Sequence, residues 1–358
     1  MSKKLFDFCL GNPPYQDETI GDNKGFAPPV YDKFLDAATE VANCVELIHP
    51  ARFLFNAGST PKAWNNKMLH DSHFKVLHYE EDASKIFPNT DIKGGVAITY
   101  RNNEKFYGEI EIFTPYEELN SILYKIRPLL KGTSLATIGV SGYSYHFTEK
   151  MHMDNPELKK ATVEEKGKIK PLLSKGHEYD LKSNVIGKIP QIFHESKPND
   201  KKDYVIIVGR TNNERVNRYI RADYINEVSN LKKFKVFIPK ASGIGAFGEA
   251  LGPSIIAEPL MGHTETFFSI GLFDTKEEAS NLLKYLKGKF SRTMLSVLKK
   301  TQNITPGNFS YVPLQDFTSK SDIDWSKSIH EIDLQLYRKY GLSAEEVAFI
   351  ETNVKEME

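Results

Sequence analysis

The 358-residue sequence has few cysteines, no net charge and no long apolar run. Its two cysteines, Cys9 and Cys44, have no spacing typical of a metal site or a disulfide framework, which fits a reducing cytoplasm. The apolar runs are far shorter than the ~20 residues of a membrane-spanning helix. Asp7 interrupts the first apolar stretch, which argues against a secretory signal. We therefore expect a globular cytoplasmic protein, and a typical domain length of about 150 residues predicts two domains.

The charges balance overall but are unevenly distributed. The chain has 47 basic and 47 acidic residues, yet residues 197–240 contain 11 lysines and arginines against 5 acids. Residues 284–300 contain 6 bases and no acid, whereas residues 315–358 are mainly acidic. This pattern is compatible with one basic face that binds nucleic acid, and equally with ordinary solvated helix surfaces.

The first hundred residues alternate between strand and helix patterns, which is typical of a doubly wound α/β sheet. The strands amount to roughly half of the six or so in a complete sheet of that kind. Strands are predicted at 5–10, 45–48, 74–79 and 95–100, and helices at 31–41 and 61–70.

Beyond residue 120 the sequence predicts a mixed α+β domain followed by C-terminal helices. A basic helix is expected at 214–221, and a long helix at 276–300 that begins with a Thr275–Glu278 capping box. Further strands are expected at 204–208, 235–239 and 266–271, and closing helices at 326–340 and from Ser343 onward. The predicted domains are 1–120, 121–310 and 311–358.

Asn12-Pro13-Pro14-Tyr15 directly follows the first predicted strand, at the place where open α/β sheets bind ligands. The Asn12 side-chain oxygen and the Pro13 carbonyl can together accept both N–H bonds of an adenine amino group, which localises its lone pair for methyl transfer. The prolines stiffen the loop, and Tyr15 offers a face on which an extruded base can stack. An isolated Asn-Pro turn that merely ends a strand is the alternative interpretation.

The longer stretch "LFDFCLGNPPYQ" resembles the catalytic motif of N6-adenine DNA methyltransferases, and the rest of the chain resembles the Eco57I-like restriction-modification methylases. "VELIHPARFL" and "IFPNTDIKGGVAITYRN" are similar to later parts of that catalytic domain. The stretches at 235–252, 262–279 and 311–351 are similar to its target-recognition part. The resemblance implies half of a Rossmann-like methyltransferase sheet in a prokaryotic enzyme that uses S-adenosylmethionine and flips an adenine out of double-stranded DNA. It makes Asn12, Pro13, Pro14 and Tyr15 the catalytic residues, with Phe87 and Tyr100 in the target-base pocket.

The candidate DNA contacts lie in the basic part of the chain. Gly243-Ile244-Gly245-Ala246-Phe247-Gly248 fits a nucleotide-binding pattern, but Gly252-Pro253 breaks the chain where a helix should follow, so a recognition loop is the favoured interpretation. The predicted contacts are Arg210, Arg215, Arg218, Arg221, Lys240, Ser242, Gly243, Gly245, Lys299 and Lys300.

The cofactor-binding half expected of such an enzyme would precede the catalytic motif, and only four residues precede the first strand. We therefore expect the chain to be inactive alone and to require an N-terminal methyltransferase half or subunit. The main alternative is a non-catalytic DNA-recognition protein that keeps the motif as structure. An interaction module with no role in nucleic-acid binding is a third possibility.

Overall fold

A computed structural model describes residues 4–17, 27–90, 92–130, 132–165, 168–211, 214–299 and 301–357. The chain divides into two units, Met1–Asn120 and Ser121–Glu358. In chain order, the helices and strands of the first unit are β1 (Phe6–Gly11), α1 (Tyr31–Val41), β2 (Ala42–Pro50), α2 (Lys62–Leu69), β3 (Phe74–Glu80) and β4 (Val96–Asn102), and α3 (Glu117–Ile126) runs across the division between the units. None of the helices in the described ranges has the length and apolar character required to cross a membrane.

The first unit contains a four-stranded sheet in the order β1-β2-β4-β3. β1 and β2 run parallel, whereas β4 is antiparallel to both β2 and β3. Apolar side chains of α1, α2 and the turn after β2 cover this sheet, and Leu35, Phe53 and Phe74 are almost completely buried there. The α/β class of the prediction is confirmed. The prediction of half a doubly wound parallel sheet is not confirmed, because only one strand pair among the described residues of this sheet is parallel.

The second unit is built from small sheets and helices. Its elements are β5 (Gly139–Val140), α4 (Glu149–Asp154), β6 (Thr162–Glu165), β7 (Lys168–Pro171), α5 (Val185–Lys188), β8 (Tyr204–Thr211), β9 (Glu214–Arg221), β10 (Phe234–Pro239), β11 (Ile255–Ala257), β12 (Met261–His263), β13 (Phe267–Phe273), α6 (Lys276–Lys287), α7 (Lys289–Ser296), α8 (Ile329–Lys339) and α9 (Ala344–Asn353). The sheet orders are β11-β10-β13-β5 and β12-β8-β9, with β6 and β7 forming a separate hairpin. α6 packs against β10 and β13.

Residues 214–221, for which the sequence predicts a basic helix, form the strand β9 instead. β9 pairs antiparallel with β8 along its whole length, and Ile220 is buried opposite Val205. Successive side chains of a strand point to opposite faces, so Arg215 and Arg221 lie on one face and Arg218 on the other. The helical face predicted for these three arginines does not exist.

The long helix predicted at 276–300 is broken at Gly288, whose backbone is extended rather than helical. The Asp333 carboxylate of α8 accepts the N–H of Lys289 at 2.8 Å and that of Phe290 at 3.1 Å, and so caps the first turn of α7. A Cβ atom at Gly288 would lie 2.8 Å from the Asp333 oxygen, so glycine allows this close approach. The Thr275–Glu278 and Ser343–Glu346 capping boxes form as predicted.

Candidate functional site

Asn12-Pro13-Pro14-Tyr15 continues from the carboxyl-terminal end of β1, whose Gly11 lies opposite Leu47 of β2. The segment that follows is held by backbone hydrogen bonds to the residues before α1. The Tyr15 carbonyl accepts the N–H of Val30 at 3.2 Å, and the Asp17 N–H donates to the Pro28 carbonyl at 2.9 Å. Asn12 and Pro14 are exposed and Pro13 is half-buried. The loop is therefore anchored at both ends while its polar side chain remains accessible.

The Tyr15 side chain lies next to Asn12 and Phe87. Its ring contacts that of Phe87 edge to face, with centroids 6.4 Å apart. Burial raises the pKa of the Tyr15 hydroxyl, and the nearby Asn12 side chain opposes this shift. Within the described residues the hydroxyl is nevertheless buried without a hydrogen bond of acceptable geometry. Asn12 is thus the nearest polar partner for this hydroxyl, and a buried hydroxyl without a well-formed hydrogen bond costs free energy.

A cavity of about 390 Å³ opens beside Tyr15. This volume is within the usual range for small-molecule sites. The residues that line it are Tyr15, Gln16, Ala27, Pro29, Tyr31, Pro50, Arg52, Gly58, Ser59, Ile92 and Lys93. The lining is aromatic and apolar around the tyrosines and prolines, with the exposed cations Arg52 and Lys93 in addition.

Tyr31, which lines the cavity, stacks on His49, with ring centroids 5.6 Å apart and ring planes 6° from parallel. His49 is completely buried, and its Nε2 atom lies 2.7 Å from the Thr99 hydroxyl. Burial lowers the pKa of His49 to about 4, and burial raises that of Tyr31 to about 12. Both rings are therefore neutral near pH 7, which suits a cavity for a neutral aromatic group.

Tyr100, predicted to line the target-base pocket, lies elsewhere in the first unit. Its hydroxyl accepts a hydrogen bond from the Asn102 amide at 3.2 Å and lies beside Cys44, near the amino-terminal end of β2. Its ring contacts Tyr107 at 6.3 Å. Asn12 follows the opposite, carboxyl-terminal end of β1, so we remove Tyr100 from the candidate pocket and retain Phe87.

Arg52 and Tyr31 are the residues of this site that the sequence did not indicate. Arg52 comes two residues after the end of β2, which runs parallel to β1 and therefore ends at the same edge of the sheet. That position is the one signal that would have identified it. Tyr31 begins α1, and its place in the cavity depends on how this helix packs on the sheet.

Three of the predicted DNA contacts meet in the second unit, around a separate cavity of about 570 Å³. Arg210 and Arg215 are opposite each other in the β8–β9 ladder, and Lys240 follows β10. The other two arginines are paired with acids. Arg218 bonds Glu195 at 3.0 Å, and Arg221 bonds both Asp154 and Asp223.

The glycine loop at 243–248 binds a carboxylate of the chain itself. The N–H groups of Ile244 and Gly245 both donate to Glu249 at 2.8 Å, and Glu249 forms an ion pair with the buried Lys299. No helix begins in the described residues 249–254, as Gly252-Pro253 predicted. The buried Ser242 hydroxyl accepts the N–H of Gly252.

These positions correct two of the predicted contacts. Ser242 and Lys299 are both 3% exposed, so neither side chain can reach a phosphate in this arrangement. Gly243 and Gly245 lie in the loop that surrounds the Glu249 carboxylate, and Gly243 is exposed there. Lys300, the last of the predicted contacts, is outside the residues that the structure describes.

In the first unit, the site combines an Asn-Pro-Pro-Tyr loop at the end of a strand with a cavity lined by aromatic rings, prolines and two cations. Residues 1–87 match the family model of the Eco57I restriction-modification methylases. The resemblance predicted from the sequence is thus confirmed for this part of the chain.

Two individual proteins are similar to the chain. An "uncharacterized adenine-specific methylase" of Mycoplasma pneumoniae (strain ATCC 29342 / M129 / Subtype 1) is 26% identical over 116 residues, which are 32% of this chain and 27% of that protein. The crystal structure of the type IIG restriction endonuclease BpuSI aligns with 92% of this chain and 48% of its own, at 10% identity and a TM-score of 0.32. A score of this size does not establish a common fold.

Proposed function

We propose that this chain supplies the catalytic loop and the target-base site of a DNA methyltransferase that modifies the N6 amino group of adenine. The observation that carries the proposal is the Asn12–Tyr15 loop at the end of β1, with the Tyr15 ring held against Phe87 beside it. The match of residues 1–87 to the restriction-modification methylases supports this function, as does the adenine-specific methylase to which the chain is similar.

Each residue of the loop has a role in the proposed reaction. The Asn12 Oδ1 atom and the Pro13 carbonyl accept the two amino N–H bonds and make the nitrogen a better nucleophile. The ring of Tyr15, held edge-on by Phe87, stacks on the extruded base, and Tyr31 lines the cavity beside it. Pro14 keeps the loop stiff between these two contacts.

S-adenosylmethionine, when bound, supplies the methyl group. The glycine loop at 243–248 does not fit this cofactor, because Glu249 already accepts its N–H groups. We therefore assign no residue described here to the cofactor.

The outer edge of β1 is where we propose that the cofactor-bearing part of the enzyme binds. Phe6, Phe8 and Leu10 alternate onto one face of β1 and are 59%, 67% and 70% exposed. β2 occupies one edge of β1, and no other described strand pairs with it. Strands of parallel sheets are normally covered, and an exposed apolar edge strand is an interaction site. The partner is a polypeptide segment with a strand that extends the sheet, and methylation requires it.

The experiment expresses the chain in a bacterial host without adenine methylation, alone and together with the polypeptide encoded next to it. Mass spectrometry of digested host DNA then separates N6-methyladenine from N4- and C5-methylcytosine, whatever the target site is. We expect N6-methyladenine when the two polypeptides are present together. Salt-dependent DNA binding without any methylated adenine in either strain would favour the alternative, a non-catalytic recognition protein.

A further inference from the structure

The cavity in the second unit has cations, aromatic rings and hydrogen-bonding groups within one concave site of about 570 Å³. Three strands position its cations, since Arg210 lies on β8, Arg215 on β9 and Lys240 directly after β10. The described residues that line it are Tyr143, Ser183, Arg210, Arg215, Pro239, Lys240, Ala241, Pro253, Glu265, Thr266, Phe267 and Asn303.

The charges around this cavity favour an anion. Arg210 and Arg215 are directly opposite in the ladder, and like charges in such a pair repel each other. Among the described residues, neither Arg215 nor Lys240 forms an ion pair. Glu265, the one acid among the described lining residues, accepts the N–H of Ser183 at 3.3 Å and the hydroxyl of Tyr143. The positive charge therefore exceeds the negative charge that could neutralise it.

Aromatic rings hold two of these cations in place. The Arg215 guanidinium lies 5.3 Å from the centroid of the buried Phe267 ring and donates to the Pro253 carbonyl at 2.8 Å. Lys240 Nζ lies 5.1 Å from the ring centroid of Tyr143, which is 54% exposed. The same strand presents a different surface on its other face, where Glu195 neutralises Arg218. Among the described residues of β9, Arg215 on the cavity side thus keeps its charge without an ion pair, whereas Arg218 on the other face does not.

We propose that this cavity binds a single nucleotide. Arg210, Arg215 and Lys240 bind its phosphate, and the ring lies among Tyr143, Phe267 and the prolines, with Glu265 and Asn303 as partners for its polar edge. A continuous duplex backbone is too broad to enter such a cavity, so a nucleotide from DNA must leave the helix to reach it. The ligand is a nucleoside phosphate, which can come either from an extruded nucleotide of a DNA strand or from a free mononucleotide.

The test measures binding of the full chain to three probes by fluorescence anisotropy. Two are labelled duplexes of one sequence, fully paired or with a single bulged nucleotide, and the third is adenosine monophosphate as a competitor. We expect the bulged duplex to bind about tenfold more tightly than the paired one. Competition by adenosine monophosphate would identify free nucleotide as a sufficient ligand, and bulge preference without competition would identify the DNA strand as the source. Equal binding of both duplexes without competition would overturn the proposal.

Variants connect the binding to this cavity. Arg215→Gln and Lys240→Gln should each weaken binding of the preferred probe by about tenfold, whereas the control Arg218→Gln, on the other face of β9, should change it less than twofold. Circular dichroism checks that each variant is folded. If Arg215→Gln does not fold, Lys240→Gln alone tests the cavity. An equal loss with Arg218→Gln would contradict the proposal. So would loss of bulge preference with Asn12→Ala, because the bulge would then bind in the first unit. None of these measurements requires methylation, so their failure is distinguishable from failure of the proposed activity.

Discussion

Replacing His49 with glutamine should make the first unit less sensitive to acid. His49 is completely buried and stacks on Tyr31, which lines the candidate adenine cavity. Burial lowers its pKa from 6.5 to about 4, so the folded unit keeps it neutral at a pH where the unfolded chain has already protonated it. Below pH 6.5 the unfolded state therefore binds more protons, and stability falls as the pH falls toward 4.

The size of this effect follows from the two pKa values. One pKa unit corresponds to about 1.4 kcal/mol. Between pH 7 and pH 5, a shift from 6.5 to about 4 removes about 2 kcal/mol of stability. Glutamine does not titrate, so the variant should not lose this contribution. The variant also lacks the stack on Tyr31, and the prediction therefore concerns the pH dependence of the difference rather than the difference at any one pH.

The assay is urea unfolding at pH 7, 6 and 5, followed by tryptophan fluorescence. The chain has two tryptophans, one in each unit, so a Trp325→Phe background leaves Trp64 as the reporter of the first unit. Trp64 lies in the core of the first unit, where its ring centroid is 5.0 Å from that of Phe53. Parallel stability curves for the parent and the His49→Gln variant across this pH range would refute the assignment of a buried neutral histidine.

Three further predictions concern other parts of the chain. Gly95→Ala should destabilise the first unit by several kcal/mol in urea unfolding, because the residue has φ +76° and its new Cβ would meet the Glu80 carbonyl at 2.3 Å. The control Gly132→Ala has a similar φ of +78°, but its Cβ would meet no atom within 4 Å. This control should therefore cost only about 1 kcal/mol. Phe8→Lys should leave the urea midpoint unchanged but weaken co-purification with the proposed cofactor-bearing polypeptide, whereas Phe106→Lys, at a comparably exposed phenylalanine, should not weaken it. Lys235 is buried with its pKa lowered to about 7, so stability of the second unit should rise by up to about 1.4 kcal/mol per pH unit between pH 7 and 10 in the parent protein. This rise should be absent in Lys235→Met, and equal slopes in the two proteins would contradict it.

The features that the sequence predicted correctly are local ones. The strand before Asn12 and the capping boxes at Thr275 and Ser343 depend on residues within a few positions of each other, so a short stretch is enough to identify them. The family resemblance, which the match of residues 1–87 confirms, was also recognised from a short stretch, and the chemistry assigned to Asn12-Pro13-Pro14-Tyr15 stays a prediction.

The errors arise where tertiary contacts decide the outcome. The spacing of Arg215, Arg218 and Arg221 has the period of a helix, but burial of Ile220 against β8 makes the segment a strand. A glycine interrupts the helix at 276–300 because Asp333, far along the chain, caps the second part. No local pattern indicates that Lys299 pairs with Glu249 inside the unit, and an exposed contact was predicted for that reason.

The central claim is that the Asn12 side chain activates an adenine amino group. Its most direct test is the single-turnover rate of N6-methyladenine formation by the chain reconstituted with the proposed cofactor-bearing partner. We expect Asn12→Ala to lower this rate by about 100-fold, the usual effect of removing one preorganised polar contact to the reacting group. Asn66→Ala, at an exposed asparagine of α2, should leave the rate unchanged. A rate for Asn12→Ala within twofold of the parent would contradict the account.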